Sequence, residues 1–152
     1  MTTPQTTQTV AALQAALAAE HAAIFGYGVL GARLAGVQRH SADLMWVAHR
    51  ARRDRLRGYI EANGATPVAA APAYQLPSPV TSSHAAMQLA GRLEDGVAAG
   101  YAGLAGVSDP GLRRYAALAL QEATVRAVRW RGSPPAAFPG LPDAALRPRP
   151  EG

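Results

Sequence analysis

The positions Val10, Leu13, Leu17, Glu20, Ile24, Tyr27, Gly31 and Leu34 follow one another at alternating steps of three and four. That spacing is the seam of one long helix, and a carboxylate stands in the middle of it. A seam position faces a packed interior, where an unpaired charge is strongly disfavoured. Glu20 therefore requires a cation nearby: a metal, a histidine or an arginine.

Three further segments carry the same periodicity. The first helix is expected from about Thr7 to Gly36, with Thr6, Thr7 and Thr9 available as caps and Gly26, Gly28 and Gly31 allowing close helix contact. At 1.5 Å per residue it would be about 45 Å long. A second helix is predicted from a Ser41 N-cap to Asn63-Gly64, with the seam Ala42, Trp46, His49, Arg53, Leu56 and Ile60. A third follows Thr81-Ser82-Ser83, with Met87, Ala90, Glu94, Val97, Tyr101 and Leu104 inward. Ser108-Asp109-Pro110 gives a short turn, and Pro110 suits the first helical position. The fourth helix runs to about Arg131, with Leu112, Tyr115 or Ala116, Ala119, Glu122 or Ala123, Arg126 and Trp130 facing inward.

Between the second and third helices, Ala65–Thr81 carries Pro67, Pro72, Pro77 and Pro79 and cannot be a regular helix. Extended at about 3.1 Å per residue, it reaches roughly 50 Å, enough to run the length of a bundle. Short, long and short connections describe an all-α four-helix bundle with one crossover, the first and second helices antiparallel, and likewise the third and fourth. Residues 1–131 form this bundle. Residues 132–152, with six prolines, are expected to be an extended or disordered tail, with Phe138 and Leu141 available to dock on the bundle.

Composition agrees with helices and removes several chemistries. The chain is 49% hydrophobic but only 6% aromatic, and its apolar residues are mostly Ala, Leu and Val. Alanine favours helix and lets helices approach closely. There is no Cys, which excludes disulfides, thiolate chemistry and Cys-ligated zinc. Net charge is +5, carried entirely by arginine among the long basic residues. Arg50, Arg52, Arg53, Arg55 and Arg57 form the one dense basic run, but they point several ways around a helix and no aromatic interleaving accompanies them. A solvated face is preferred to nucleic-acid binding. The N-terminus lacks a signal-peptide pattern and the Gly96–Val107 run is too short for a bilayer, so a soluble, cytoplasmic protein is expected, without a membrane partner.

Each predicted seam contains ionisable residues: Glu20, His49 with Arg53, Glu94, and Glu122 with Arg126. On LQAALAAEHAAIFGYGVLGARL, AHRARRDRL, AYQLPSPV, LAGRLEDGVAAGY and the stretch ending at Trp130, the chain resembles a family of bacterial ferritin-like domain proteins of unestablished function. The resemblance covers about Leu13–Trp130. It implies a ferritin-like bundle, in which two helices give one Glu each to a two-metal site and two give Glu-x-x-His.

Glu20 and Glu94 occupy the single-Glu positions. The second helix has no Glu-x-x-His, and Glu122 is followed by Val125 and Arg126. Arg53 and Arg126 offer positive charge where a di-metal centre would supply it, through bidentate guanidinium–carboxylate pairs. The preferred reading is thus a non-catalytic structural or partner-binding bundle, without cofactor, whose buried polar layer is Glu20, His49, Arg53, Glu94, Glu122 and Arg126. Tyr27 and Tyr101 can hydrogen-bond into that layer, while His21, His40 and His84 are expected to be solvated. The alternative is a di-iron or manganese carboxylate protein, an oxidase or iron-handling protein, using Glu20, His49, Glu94 and Glu122. Nucleic-acid binding through the Arg-rich second helix is a weaker third. Side-by-side pairing as a homodimer is expected by analogy.

Overall fold

A computed structural model describes residues 3–132, and among them the chain is all-helical. α1 spans Pro4–Gly31, α2 Gly36–Ala62, α3 Ser83–Ala102 and α4 Pro110–Arg131; a single 3₁₀ turn, Leu104–Gly106, lies between α3 and α4. The expected tail lies outside the described residues.

Local chemistry accounts for most of the boundaries. Thr3, Ser82 and Asp109 each cap a helix by accepting a backbone N–H, from Thr6, Ala85 and Leu112 respectively. Pro4 and Pro110 sit in first turns, where no N–H is needed. α2 ends at Asn63, and Gly64 takes φ +75°. The start of α2 differs from expectation. Ser41 lies inside the helix, which begins five residues earlier at Gly36, behind an Ala35 cap that uses no side chain. α1 ends at Gly31 instead of Gly36, and Gly36, at φ +55°, belongs to the start of α2.

α1 packs against both α2 and α3, and α3 packs against α4. The short turns make α1–α2 and α3–α4 antiparallel. The Pro-rich crossover then climbs α1. Gln14 holds its start, donating to the Thr66 carbonyl at 2.7 Å and accepting from Val68 N–H at 2.8 Å. His21 meets the Val68 carbonyl at 3.0 Å, and the Phe25 and Tyr74 rings lie 5.4 Å apart. His21 is consequently buried beneath the crossover, a correction to the expectation that it is solvated; His40 and His84 are exposed.

Two apolar clusters fill the bundle. One gathers Leu13, Leu17, Leu56, Ile60, Tyr101 and Leu104; the other gathers Tyr27, Leu30, Leu34, Leu89 and Trp130. In α4 the inward residues are Leu112, Ala116, Ala119, Ala123, Ala127 and Trp130, which resolves both alternatives toward alanine. α1 by itself is long and apolar enough to cross a membrane, and here Leu13, Ala16, Leu17, Ala23, Tyr27 and Leu30 on one side of it are buried in the core.

The α1–α3 approach is close enough to require a glycine. A Cβ on Gly100 would lie 2.6 Å from the Ala19 Cβ, which is fixed to backbone and cannot swing away. Gly28 has nothing within 4 Å of such a Cβ. Gly100→Ala should therefore lower unfolding free energy by about 1–3 kcal/mol through overpacking. Gly28→Ala should raise it by about 0.4–1 kcal/mol through chain entropy and helix propensity. Paired denaturant titrations of the two variants check both signs.

Candidate functional site: a histidine held between two carboxylates

Between the two apolar clusters sits a fully buried polar group. Glu20 from α1, His49 from α2 and Glu94 from α3 all have zero exposure. His49 Nδ1 lies 2.6 Å from Glu20 Oε2, and its Nε2 lies 3.0 Å from Glu94 Oε1. The imidazole thus uses both nitrogens on carboxylates of different helices. Two tyrosines complete the arrangement: Tyr101 donates to Glu20 Oε1 at 2.8 Å, and Tyr27 donates to Glu94 Oε1 at 2.6 Å. The Trp130 indole N–H donates to the Tyr27 oxygen at 2.9 Å, with the Met45 sulfur beside both at 3.0 and 3.3 Å. One hydrogen-bonded chain, Trp130–Tyr27–Glu94–His49–Glu20–Tyr101, therefore passes through all four helices.

The electrostatics follow from this geometry. Burial alone would push the His49 pKa down, but the hydrogen bonds and charges of Glu20 and Glu94 outweigh it and raise the value to about 9. At neutral pH His49 is an imidazolium. Burial and Glu94 push the Tyr27 hydroxyl well above its usual range, and burial and Glu20 do the same to Tyr101. Both remain donors. Glu94 Oε2 is buried and is the one carboxylate oxygen of the cluster without a hydrogen-bond partner in the protein.

The helical periodicity explains how these residues meet, and where the expected layer needs correcting. Glu20, Glu94 and His49 stand on the seams assigned to them. Arg53 does not join them: it lies toward the α2 exterior, where its Nε donates to Asp54 at 2.8 Å. The α2 seam passes instead through Arg52, three residues after His49, whose side chain is 13% exposed against 25% for Arg53. Glu122 faces outward with its side chain 56% exposed, because Ala123 takes the core position. Arg52 and Arg126 both reach Glu122, Arg126 at 3.5 Å. The place expected for Arg53 and Arg126 beside Glu20 and Glu94 is thus taken by His49, which bonds both carboxylates but carries one positive charge for the two, with Arg52 and Arg126 in an outer layer. Met45 and Arg52 were not singled out by the seam reading; the i+3 relation of Arg52 to His49 is the signal that would have found it.

The donor set differs from that of a di-metal centre. One metal ion can bind only one nitrogen of an imidazole lying between two carboxylates, and three of the four carboxylate oxygen positions already meet donors. Glu122 is turned away. Among the described residues no group of three or more His, Asp or Glu side chains is arranged to hold a metal. As they stand, the residues do not fit a metal pair.

The chain belongs to the family described as a domain of unknown function (DUF4439), which matches residues 12–143. The crystal structure of a conserved hypothetical protein, rv2844, from Mycobacterium tuberculosis is similar to it. The two share 35% sequence identity and a TM-score of 0.80, over 83% of this chain and 96% of that one. No curated protein matches the chain.

The His49 clamp has a signed pH dependence. Its folded pKa of about 9 lies above the unfolded value of 6.5, so its stabilisation is complete below about pH 6.5 and is lost as pH rises through 9. A displacement of that size corresponds to a loss on the order of 3 kcal/mol. Melts at pH 6.5, 8 and 9.5 should show a falling Tm, and His49→Leu should remove that slope. The same variant should cost about 3–5 kcal/mol at neutral pH, since it strands two buried carboxylates. Arg53→Met, by contrast, should cost clearly less than His49→Leu, because Arg53 is half-buried and pairs with the exposed Asp54 alone.

Proposed function

We propose that this protein is a non-catalytic bundle of ferritin-like architecture that serves as a structural or partner-binding module, its centre locked by an ionic clamp. The carrying observation is that His49, Glu20 and Glu94 are fully buried and spend their polar atoms almost entirely on one another and on two tyrosines. A general acid, base or nucleophile must reach a substrate atom, and a sealed cluster offers none. The helix order, the long crossover and the mid-bundle position of the cluster support the ferritin-like reading. In it the imidazolium contributes positive charge where related bundles hold metal. Under this reading the protein is cytoplasmic and pairs side by side as a homodimer.

The arginine run supports a solvated role over nucleic-acid binding. Arg50 stacks 4.5 Å over Trp46, Arg53 pairs with Asp54, and Arg55 donates to the Tyr59 hydroxyl. These side chains are engaged locally and point in different directions.

Protein purified without chelator should hold less than one metal per chain by elemental analysis and gain no thermal stability from ferrous iron or manganese. A metal present at 100 times its dissociation constant would add about 2.7 kcal/mol, plainly visible in a melt. Two ions per chain held about 3.5–4 Å apart would overturn the proposal in favour of a di-metal carboxylate protein. Affinity for duplex DNA or RNA should be no tighter than about 10⁻⁴ M at physiological salt.

A further inference from the structure

The square of four helices is closed on three edges and open on the fourth. The α2 and α4 backbones stay more than 8 Å apart along their whole lengths. Long side chains cross the gap instead: Met45 to Trp130, Arg52 to Glu122, and Tyr59 to Tyr115 with ring centres 5.5 Å apart. Between the last two bridges lies an open cleft of about 430 Å³, lined by Ala48, Ala51, Arg52, Tyr115, Leu118 and Glu122 among others. It continues along α4 past Val125 and Arg126. Leu118 and Val125 stand 53% and 43% exposed at its rim.

The polar atoms of this cleft do not balance. Two guanidiniums, Arg52 and Arg126, converge on one oxygen of a single carboxylate, Glu122 Oε2. Each leaves its Nη1 buried and without an acceptor, and the Tyr115 hydroxyl is buried without a partner as well. Among the described residues only four buried side-chain polar atoms lack partners, and three belong to this edge. Buried orphan donors are uncommon and ask for a reason. Glu122 is the sole acidic residue in the lining of either part of the cleft. Arg55, with its guanidinium 5.2 Å from the Tyr115 ring centre, and Arg129 add positive charge at the mouth.

We propose that the α2–α4 cleft is a binding site for a small organic anion: a carboxylate or phosphate monoester on a short apolar body. The head group takes the place of the Glu122 carboxylate between the guanidiniums of Arg52 and Arg126, whose planar forks suit either oxyanion. The body lies along Ala48, Ala51, Leu118 and Ala119, which offer it no hydrogen bonds. The site is separate from the His49 clamp and does not rest on the reading of that clamp as metal-free.

Isothermal titration of the full chain with octanoate, octyl phosphate, octanol and inorganic phosphate tests it. One-to-one binding of octanoate or octyl phosphate is expected, with a dissociation constant at or below about 1 mM and about tenfold tighter than either octanol or inorganic phosphate. Whichever of the two amphiphiles binds more tightly identifies the head group. Arg126→Gln should weaken that binding about tenfold. Ala51→Trp, an exposed change that fills the cleft without touching a charge, should do the same. Glu122→Gln should tighten it by removing the competing carboxylate. Absence of saturable binding in the parent, binding indifferent to both Arg126→Gln and Ala51→Trp, or octanol bound as well as octanoate would each overturn the proposal.

Discussion

A protonated imidazole between two carboxylates is the interaction on which this bundle is organised. Two buried carboxylates in a core of alanine and leucine need donors on both, and a cation that donates in one direction could hold only one of them. An imidazolium has two N–H groups pointing in nearly opposite directions, so it can join carboxylates on two different helices while itself projecting from a third. Tyr27 and Tyr101 then supply neutral donors, and Trp130 brings in the fourth helix. The group therefore specifies the mutual rotation of all four helices, a task for which shape matching between small alanine side chains is poorly suited. Its net stabilisation over an apolar core need not be large; what it contributes is one arrangement of the helices in place of several.

The outer layer repeats the logic with less complete pairing. Arg52 and Arg126 lie along the edge between α2 and α4, and their charges reach the edge of the central group. Arg52 stands 5.9 Å from the Tyr101 ring, and Arg126 favours the ionised form of Tyr27, against burial and Glu94. Because those two helices are held apart by long side chains, their facing surfaces are where polar atoms remain unsatisfied. An inner layer that consumes its donors and an outer one that does not divide the molecule into a locked centre and an open edge.

How much of this was legible in the sequence depends on what each residue's neighbours in the seam could tolerate. Four helices, the Pro-rich crossover, the Ser82 and Asp109 caps and the mid-seam places of Glu20, His49 and Glu94 all follow from periodicity and turn chemistry. The errors came where two adjacent residues compete for one inward direction. His49 to Leu56 can be spanned as three-then-four or four-then-three, which makes Arg52 or Arg53 the inward residue, and both are arginine. At Glu122 and Ala123 the choice turned on the closeness of α3 and α4, which only alanine permits. The start of α2 was misplaced because Ser41 has a capping side chain while Gly36 begins the helix with backbone geometry alone. Nothing beside His21 in the sequence marks it as buried, because the crossover that covers it is 47 positions away.

The hydrogen-bonded chain at the centre joins residues separated by 29, 45, 67, 81 and 103 positions. None of its links closes within one helical hairpin except that between His49 and Glu20. On a ribosome, α1 and α2 can therefore form a hairpin with one carboxylate satisfied, while the partners of Glu94 wait for α3 and the Trp130 donor waits for the last turn of α4. Loop closure over such separations is paid before the contacts reward it, which slows folding relative to bundles whose cores assemble from neighbouring helices. The ionic centre is consequently complete once α3 docks on the α1–α2 hairpin, and α4 adds the last donor of the chain, the Trp130 indole, at its final turn.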